Sequence, residues 1–500
     1  MAKRGLPARP RRRWRWAGGV MAVGALLGWL ALAPSGPELR GLVRWPGQGT
    51  GPRGIGQGRP LVLWEASYPA AGGAGTYEAW VRQGLAEFSL SHPGVTVEVR
   101  FFPPSRLGPA LEQALAQKRP PDVFHVVDGR AWLSAEWQEP VTRLFRRDAG
   151  AYHPAVAAAV SRDGQVWAWP QGMTFRLLAA NIRLLQKAGV DVRLFQERGW
   201  TWEEFAALAR RLSPVARTAA DRYAVLLQAE TAEVPEAFLA ASGWVRFADD
   251  SGQFTWSRDA LSRLASLVKQ MQREKLLPPG GVAAQYSTRM LTAFWQGETA
   301  LVGPVGPWLL DQARRRRWSG ETVLPERYAL AAASPAAPAA PADQVAFLPI
   351  PHLDRPAAAA GNPLAATAHA YAVFRSDPRF PDRQRLQLAQ MLARHLAQFE
   401  AAHWAALVRG LPAYLPALAV WQSQDVQGEW PVARVLLAGL NRLQVQAPAP
   451  EELRGIDVFR RQLLEAWRQL LAEDGDPGRF VSQVMTAGNR LWPQAPPPSK

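Results

Sequence analysis

The stretch from residue 61 to 127 alternates strand patterns with helix patterns, and this alternation constrains the fold more than any other feature. Leu61–Trp64 is a short apolar run that suits a buried strand, and Val95–Phe101 alternates apolar with polar residues. Apolar residues at helical spacing lie between these two runs and again over 107–115, before a third apolar run over 123–127. The order β-α-β-α-β is typical of an α/β fold with a parallel sheet.

Helical patterns dominate the rest of the chain. Amphipathic spacing predicts helices over 258–275, 286–296 and 383–408, and a last major helix from Ile456. Val345–Ile350 has the pattern of a strand.

The start of one predicted helix has the residues of both a capping box and a hydrophobic staple. Thr201 is placed to cap the amide of Glu204, whose carboxylate reaches back, and Trp200 and Phe205 are placed to close as a hydrophobic staple. We therefore expect Glu203 and Glu204 to stabilise the start of this helix rather than to act as an acid/base pair in catalysis.

The N-terminus has the pattern of a membrane-targeting segment. Residues 1–15 are a basic tail, and 16–33 are an uncharged apolar stretch that would span about 27 Å as a helix, close to the thickness of a hydrocarbon core. The basic tail predicts that 1–15 stay in the cytoplasm and that the rest is exported. Ala31-Leu32-Ala33 resembles a cleavage site, but Pro34 follows it, which favours a retained transmembrane anchor over a cleaved signal peptide. Residues 34–59, rich in Gly, Pro and Arg, predict a flexible linker.

Composition excludes several classes of protein. The chain has no cysteine, so disulfides, thiol nucleophiles and cysteine metal sites are ruled out. Seven basic residues precede the first acidic one, Glu38, and supply +7 of the net charge of +16, which leaves a modest +9 over the rest of the chain. Because no basic stripe interleaved with aromatic residues appears elsewhere, we expect no nucleic-acid partner.

Motifs for catalysis and cofactors are also missing from the sequence. There is no zinc-protease helix, no nucleophile elbow and no phosphate-binding loop. Gly73-Ala74-Gly75 lacks the third glycine of a dinucleotide fingerprint, and His395 and His403 are eight residues apart on one predicted helix. We therefore expect no cofactor, no metal and no enzymatic activity.

A series of short motifs runs through the chain. They are Phe88–Arg100, Pro121-Asp122-Val123, Trp167–Pro170, Leu178–Asn181, Lys187–Asp191, Thr201–Phe205, Phe294–Ala300, Gly306-Pro307-Trp308 and Gly410–Ala413. In this order and spacing they resemble the extracellular solute-binding proteins of ABC importers, in the family that includes maltose-binding protein. The resemblance covers about 60–495. It departs from the family at Ala180, where a tyrosine is common, at the enlarged low-complexity stretch 331–343, and at the absent lipidated cysteine.

This resemblance implies a two-lobed α/β periplasmic-binding-protein fold over 60–495, following the N-terminal transmembrane or signal helix. The N-lobe is expected at about 60–173 plus 350–400, and the C-lobe at about 177–345 plus the C-terminal helices. It further implies a ligand in the cleft, hinge closure of the lobes, and delivery to the transmembrane subunits of an ABC permease. The 22 tryptophans suit a saccharide, which presents an apolar face and a rim of hydroxyls.

Seven residues are the expected ligand-binding positions, because they lie at strand ends, lobe crossings or loops near the implied cleft. They are Trp64, Glu65, Asp128, Thr174, Phe175, Trp244 and Trp308.

Two other functions stay open at this point. A degenerate binding-protein domain would act as a sensor or structural partner in the cell envelope, with its anchor retained and no solute bound. A glycan-active enzyme would need two inward carboxylates about 5–10 Å apart across the cleft, and the sequence offers no compelling pair.

Overall fold

The computed structural model describes residues 59–68, 76–131, 133–134, 136–216, 223–249, 251–309, 345–353, 364–423, 432–446, 452 and 455–493. The predicted cytoplasmic tail, the predicted transmembrane segment 16–33, most of the predicted linker and the low-complexity stretch 331–343 lie outside these residues. None of the described helices is both long and apolar enough to cross a membrane.

The strands in chain order are β1 Leu61–Ala66, β2 Val97–Phe102, β3 Val123–Val126, β4 Gln138–Glu139, β5 Ser161–Arg162, β6 Gln165–Val166, β7 Ala168–Phe175, β8 Leu177–Asn181, β9 Val225–Leu227, β10 Leu301–Val305, β11 Val345–Leu348, β12 Leu364–Phe374, β13 Leu411–Pro412 and β14 Leu443–Gln446.

The helices are α1 Thr76–Ser91, α2 Pro104–Ala116, α3 Thr142–Phe145, α4 Pro154–Ala159, α5 Ile182–Lys187, α6 Arg193–Arg198, α7 Trp202–Ala216, α8 Glu233–Ala241, α9 Arg258–Arg273, α10 Gly280–Trp295, α11 Arg383–Gln398, α12 Ala401–Val408, α13 Leu415–Ser423, α14 Ala433–Gly439, α15 Ile456–Leu471 and α16 Pro477–Leu491.

The first sheet, which defines the first lobe, has the strand order β13-β7-β12-β3-β1-β2, with β4 and β14 also paired to β12. β1 runs parallel to β2 and β3, as the opening β-α-β-α-β pattern predicts. The long β12 is antiparallel to β3 and β7 and joins the two halves of this sheet. The carboxyl ends of β1 and β3 therefore meet at one edge of the first lobe.

The second sheet, which defines the second lobe, has the order β11-β8-β10-β9. Side chains alternate across it between two apolar cores. Leu178 and Ala180 belong to the core formed with α7, α9, α15 and α16, whereas Leu177 and Ala179 join the core of the first sheet. Buried apolar residues from 404 to 436 belong to the first core. Among the described helices after residue 400, only α15 and α16 pack in the second core.

The chain passes from the first sheet to the second between β7 and β8, where Arg176 is the intervening residue. Its Nη1 donates a hydrogen bond of 3.5 Å to the Thr367 hydroxyl of β12. Its Nε lies 3.5 Å from the Glu233 carboxylate at the start of α8. Arg176 therefore links the crossing to both lobes.

The helix predicted over 383–408 is wrong in one respect, because the structure has two helices there. Phe399 leaves the helical conformation, and Glu400 takes a left-handed one, with φ of 40°. The break places the Phe399 ring 5.7 Å from the Trp80 ring and against Gly84 of α1. These partners are distant in sequence, so helical periodicity did not reveal the break.

The predicted start of the helix at Thr201 is confirmed, whereas the helix predicted over 286–296 begins earlier, at Gly280. The Thr201 hydroxyl accepts from the Glu204 amide at 3.3 Å, and the Glu204 carboxylate accepts from the Thr201 amide at 2.9 Å. The Trp200 and Phe205 rings meet edge to face with centroids 5.5 Å apart. α15 begins at Ile456 as predicted, but it is not the last helix, because α16 follows and its start is capped by Asp476.

Candidate functional site

A small pocket lies between the lobes and is lined by charged and aromatic side chains. Asp128, which follows β3 in the first lobe, faces residues of the second lobe across it. The lining residues are Asp128, Glu236, Trp244, Val245, Phe247, Trp256, Glu452, Ile456 and Arg460. Its free volume is about 10 Å³, which is room for a single water molecule.

Asp128 is held in place by Arg130, and Arg130 reaches the other lobe. The Asp128 carboxylate accepts from the Arg130 amide at 3.1 Å and from its Nε at 2.5 Å. Nη1 of Arg130 lies 3.8 Å from the Asp457 carboxylate on α15. Burial lowers the pKa of Arg130, but the two carboxylates more than offset this and hold the guanidinium charged.

The second lobe contributes a fork-shaped ion pair. Arg460 on α15 donates to both carboxylate oxygens of Glu236 on α8, at 2.9 and 3.0 Å. Burial lowers the pKa of Arg460, but Glu236 and, further off, Asp128 raise it above its ordinary value. The guanidinium carbon lies 5.8 Å from the Phe247 ring centre, so the cation also rests on an aromatic wall.

A buried polar cluster, formed by Glu65, Tyr77, His125, His369 and Tyr371, lies in the first lobe. Oε1 of Glu65 accepts from the Ala66 amide at 2.9 Å, from the Tyr77 hydroxyl at 3.2 Å and from Nδ1 of His125. Its other oxygen accepts from the Tyr371 hydroxyl at 3.0 Å. Burial and the Glu65 charge together raise the pKa of both tyrosines, so their hydroxyls stay protonated as donors.

The structure divides the seven predicted binding residues into three groups. Asp128 and Trp244 line the interlobe pocket. Glu65 belongs to the buried polar cluster, and the half-buried Thr174 joins it through a 3.0 Å contact between its hydroxyl and Nε2 of His369.

The other three pack in apolar surroundings. Trp64 is 8% exposed, and its ring centre lies 4.9 Å from that of Phe102. Phe175 is buried in the first core, and Trp308 is half-buried against the same core. A Cβ at Gly306 would overlap the Trp308 ring, so the glycine allows this close turn.

Most of the charged residues of the pocket and both histidines of the cluster are absent from the seven predicted binding residues. Arg130, Glu236 and Arg460 carried no signal of their own, because charged residues on amphipathic helices and loops are common. His125 and His369 did carry one, since each is a polar residue within an apolar strand run. In the described part of the chain, no group of three or more His, Cys, Asp or Glu side chains is arranged to hold a metal ion.

Comparison with known proteins identifies the family. Residues 70–372 match the model of the bacterial extracellular solute-binding proteins. The chain belongs to this family. Solute-binding proteins of this family are non-enzymatic transport components, so the prediction that the chain is not an enzyme is confirmed. No curated protein sequence matches the chain.

Several solved structures share the two-lobed α/β fold of this chain. The sugar-binding protein MalE from Xanthomonas citri is 17% identical, with a TM-score of 0.65 over 87% of this chain and 97% of that one. Maltose-bound MalE3 of T. maritima is 17% identical, with a TM-score of 0.60 over 86% and 99%. A substrate-binding protein of Listeria monocytogenes in complex with cycloalternan is 15% identical, with a TM-score of 0.61 over 86% and 98%.

Proposed function

We propose that this solute-binding protein binds a carbohydrate or related polar solute between its lobes and delivers it to the transmembrane subunits of an ABC permease by hinge closure. In this proposal, residues 16–33 tether the binding domain to the outer face of the cell membrane. The observation that carries it is the meeting of Asp128 from the first lobe with Arg460 and Trp244 from the second in one pocket.

The pair of Asp128 and Arg460 suits a hydroxyl group. A carboxylate only accepts hydrogen bonds and a guanidinium only donates them, whereas a sugar hydroxyl does both. A hydroxyl between the two lobes would therefore satisfy one group from each, and its binding would favour the closed state.

Trp244 supplies the apolar complement of such a solute. It is half-buried against the second core and lines the same pocket as Asp128. An indole face packs well on the C–H face of a sugar ring, and this combination of an aromatic plate with a few polar groups is typical of small-molecule sites. The sugar ligands of the T. maritima and L. monocytogenes neighbours agree in chemical class.

A second candidate function is favoured by the small volume of the pocket. With room for a single water and with Glu236 already paired to Arg460, the closed pocket holds no sugar ring. A degenerate binding domain that acts as a sensor or structural partner in the cell envelope would keep such a filled pocket permanently. A transport protein would instead open it by hinge motion at the Arg176 crossing.

A thermal-shift screen of the purified full chain separates the two functions. The panel contains mono- and oligosaccharides, with amino acids and peptides as controls. A solute at 100 times its dissociation constant adds about 2.7 kcal/mol to the free energy of unfolding. A saccharide that raises the melting temperature supports transport, whereas a folded protein that responds to no member of the panel supports the sensor or structural function.

A further inference from the structure

The buried polar cluster is out of place in an otherwise apolar core. Glu65, His125, His369 and Tyr371 are each 3% exposed or less. They lie on adjacent strands, since β3 pairs with both β1 and β12 and His125 stands opposite Tyr371. Burying so many polar groups is unfavourable unless each one finds a hydrogen-bond partner.

Glu65 meets this requirement, but the two histidines do not. Because Nδ1 of His125 bonds to Glu65, the proton of a neutral His125 lies there and Nε2 is left as an acceptor. His369 uses its Nε2 toward Thr174 and keeps Nδ1 for another partner. Within the described part of the chain, neither of these remaining nitrogens has a hydrogen-bond partner.

Tyr68 brings a third buried atom of this kind to the same place. Its hydroxyl is inaccessible and has no partner among the described residues. The Tyr68 ring centre lies 6.4 Å from that of His125 and 6.5 Å from that of His369, and the two histidine rings are 5.5 Å apart. The three polar atoms without a hydrogen-bond partner, which are the Tyr68 hydroxyl, Nε2 of His125 and Nδ1 of His369, therefore belong to three neighbouring rings.

The position of Tyr68 connects this group to the interlobe pocket. Tyr68 follows the carboxyl end of β1, and Asp128 follows that of the neighbouring β3. Burial raises the pKa of Tyr68, and both Glu65 and Asp128 raise it further, so the ring lies within electrostatic reach of the cluster and of the pocket. Thr174, only half-buried, touches His369 from the strand that leads to the lobe crossing.

We propose that Tyr68, His125 and His369 form a hydroxyl-binding subsite at the carboxyl ends of β1 and β3, next to Asp128, which selects a neutral polyhydroxyl solute. This inference rests on the proposed transport function and deepens it. The Tyr68 hydroxyl both donates and accepts, Nε2 of His125 accepts, and Nδ1 of His369 takes the role that its tautomer allows. A solute hydroxyl satisfies such a set, whereas a carboxylate or phosphate would face Glu65 and Asp128 at close range.

The test uses the full chain and the variant Tyr68→Phe, which removes one unpaired hydroxyl and little else. Dissociation constants for glucose, maltose, maltotriose and trehalose are measured by calorimetry, and melting temperatures are measured without sugar. We expect about tenfold weaker binding of the saccharide that binds the wild type most tightly. The melting temperature without sugar should stay the same or rise, because the lost hydroxyl had no partner.

Tyr152→Phe is the matched control in the same lobe. The Tyr152 hydroxyl is buried and bonds to Nε1 of Trp169 and Nε2 of Gln398, at 2.5 and 3.1 Å. Its loss should lower the melting temperature and leave the dissociation constants unchanged. His369→Gln provides a second variant of the subsite, for which we again expect weaker sugar binding.

Three results would overturn the inference. Equal saccharide affinities of the wild type and Tyr68→Phe would refute the subsite but not the transport function. A lower melting temperature of Tyr68→Phe without sugar would show that the hydroxyl has a structural partner. A folded wild type that binds none of the four sugars would refute the subsite, and if no member of the thermal-shift panel stabilised it either, the transport function would be refuted as well.

Discussion

Nη1 of Arg130 in the first lobe lies 3.8 Å from the Asp457 carboxylate in the second. The pair joins the two lobes, and the same guanidinium donates through Nε to Asp128, which lines the interlobe pocket. Closure of the lobes thus brings the charges of Arg130 and Asp457 together, and opening of the lobes must separate them.

Asp457→Asn should therefore weaken closure slightly. The Asp457 side chain is 55% exposed, so the pair is screened, and we expect sugar binding to weaken about twofold to fivefold. Added salt should weaken binding in the wild type and have less effect in the variant. The control is Asp259→Asn, which breaks an exposed pair within α9. Calorimetry at low and high salt measures both, and an identical salt dependence of all three proteins would refute the interlobe role.

Trp244→Ala should weaken saccharide binding at least tenfold, because it removes the aromatic wall of the pocket. Trp308→Ala is the control, since Trp308 packs over Gly306 and against the first core. We expect the control to lower stability while its dissociation constant stays near the wild-type value. If Trp308→Ala lost affinity and Trp244→Ala kept it, the site would lie elsewhere.

Acid should destabilise the protein through its buried histidines. Burial lowers the pKa of His369 well below 6.5, and His125 lowers it further. As the pH falls below about 6.5, His369 becomes protonated in the unfolded chain but stays neutral in the folded protein. The free energy of unfolding therefore falls. His369 contributes at most about 1.4 kcal/mol per pH unit between 6.5 and its lowered pKa.

Urea unfolding at several pH values from about 7.5 to 5 measures this slope. His369→Gln should reduce it but not abolish it, because burial also lowers the pKa of His153, His352 and His395. Equal slopes in the wild type and the variant would mean that His369 is not buried as a neutral group.

Gly172→Ala should destabilise the first lobe by about 1–3 kcal/mol, because a Cβ there overlaps the Trp404 ring and lies 2.6 Å from the Leu411 carbonyl oxygen. Gly150→Ala is the matched control, since its Cβ would meet no atom within 4 Å. Chemical unfolding of both variants gives the comparison. Equal stability of the two would contradict the close packing of α12 on β7.

Predictions from the sequence succeeded where the determining contacts are local. The Thr201 cap and the alternation around Val97 depend on neighbours within a few residues, so pattern alone identifies them. The break at Glu400 depends on Trp80 and Gly84 of a distant helix, and the sequence does not reveal that contact.

The same limit applies to the candidate site. Asp128 and Trp244 lie at a strand end and in a loop, which are positions that the family resemblance suggests, and their binding role stays a prediction. The Arg460–Glu236 pair joins residues 224 positions apart. Only the tertiary fold, which brings Arg460 of α15 to Glu236 of α8, makes this pair part of the pocket.

The most direct measurement is the dissociation constant of the saccharide that gives the largest thermal shift, in the wild type and in Asp128→Asn. The carboxylate accepts hydrogen bonds through both oxygens and faces Arg460 through its charge, and asparagine keeps the shape but loses the charge. We predict binding at least tenfold weaker in Asp128→Asn. Equal dissociation constants in the two proteins would contradict binding in the interlobe pocket.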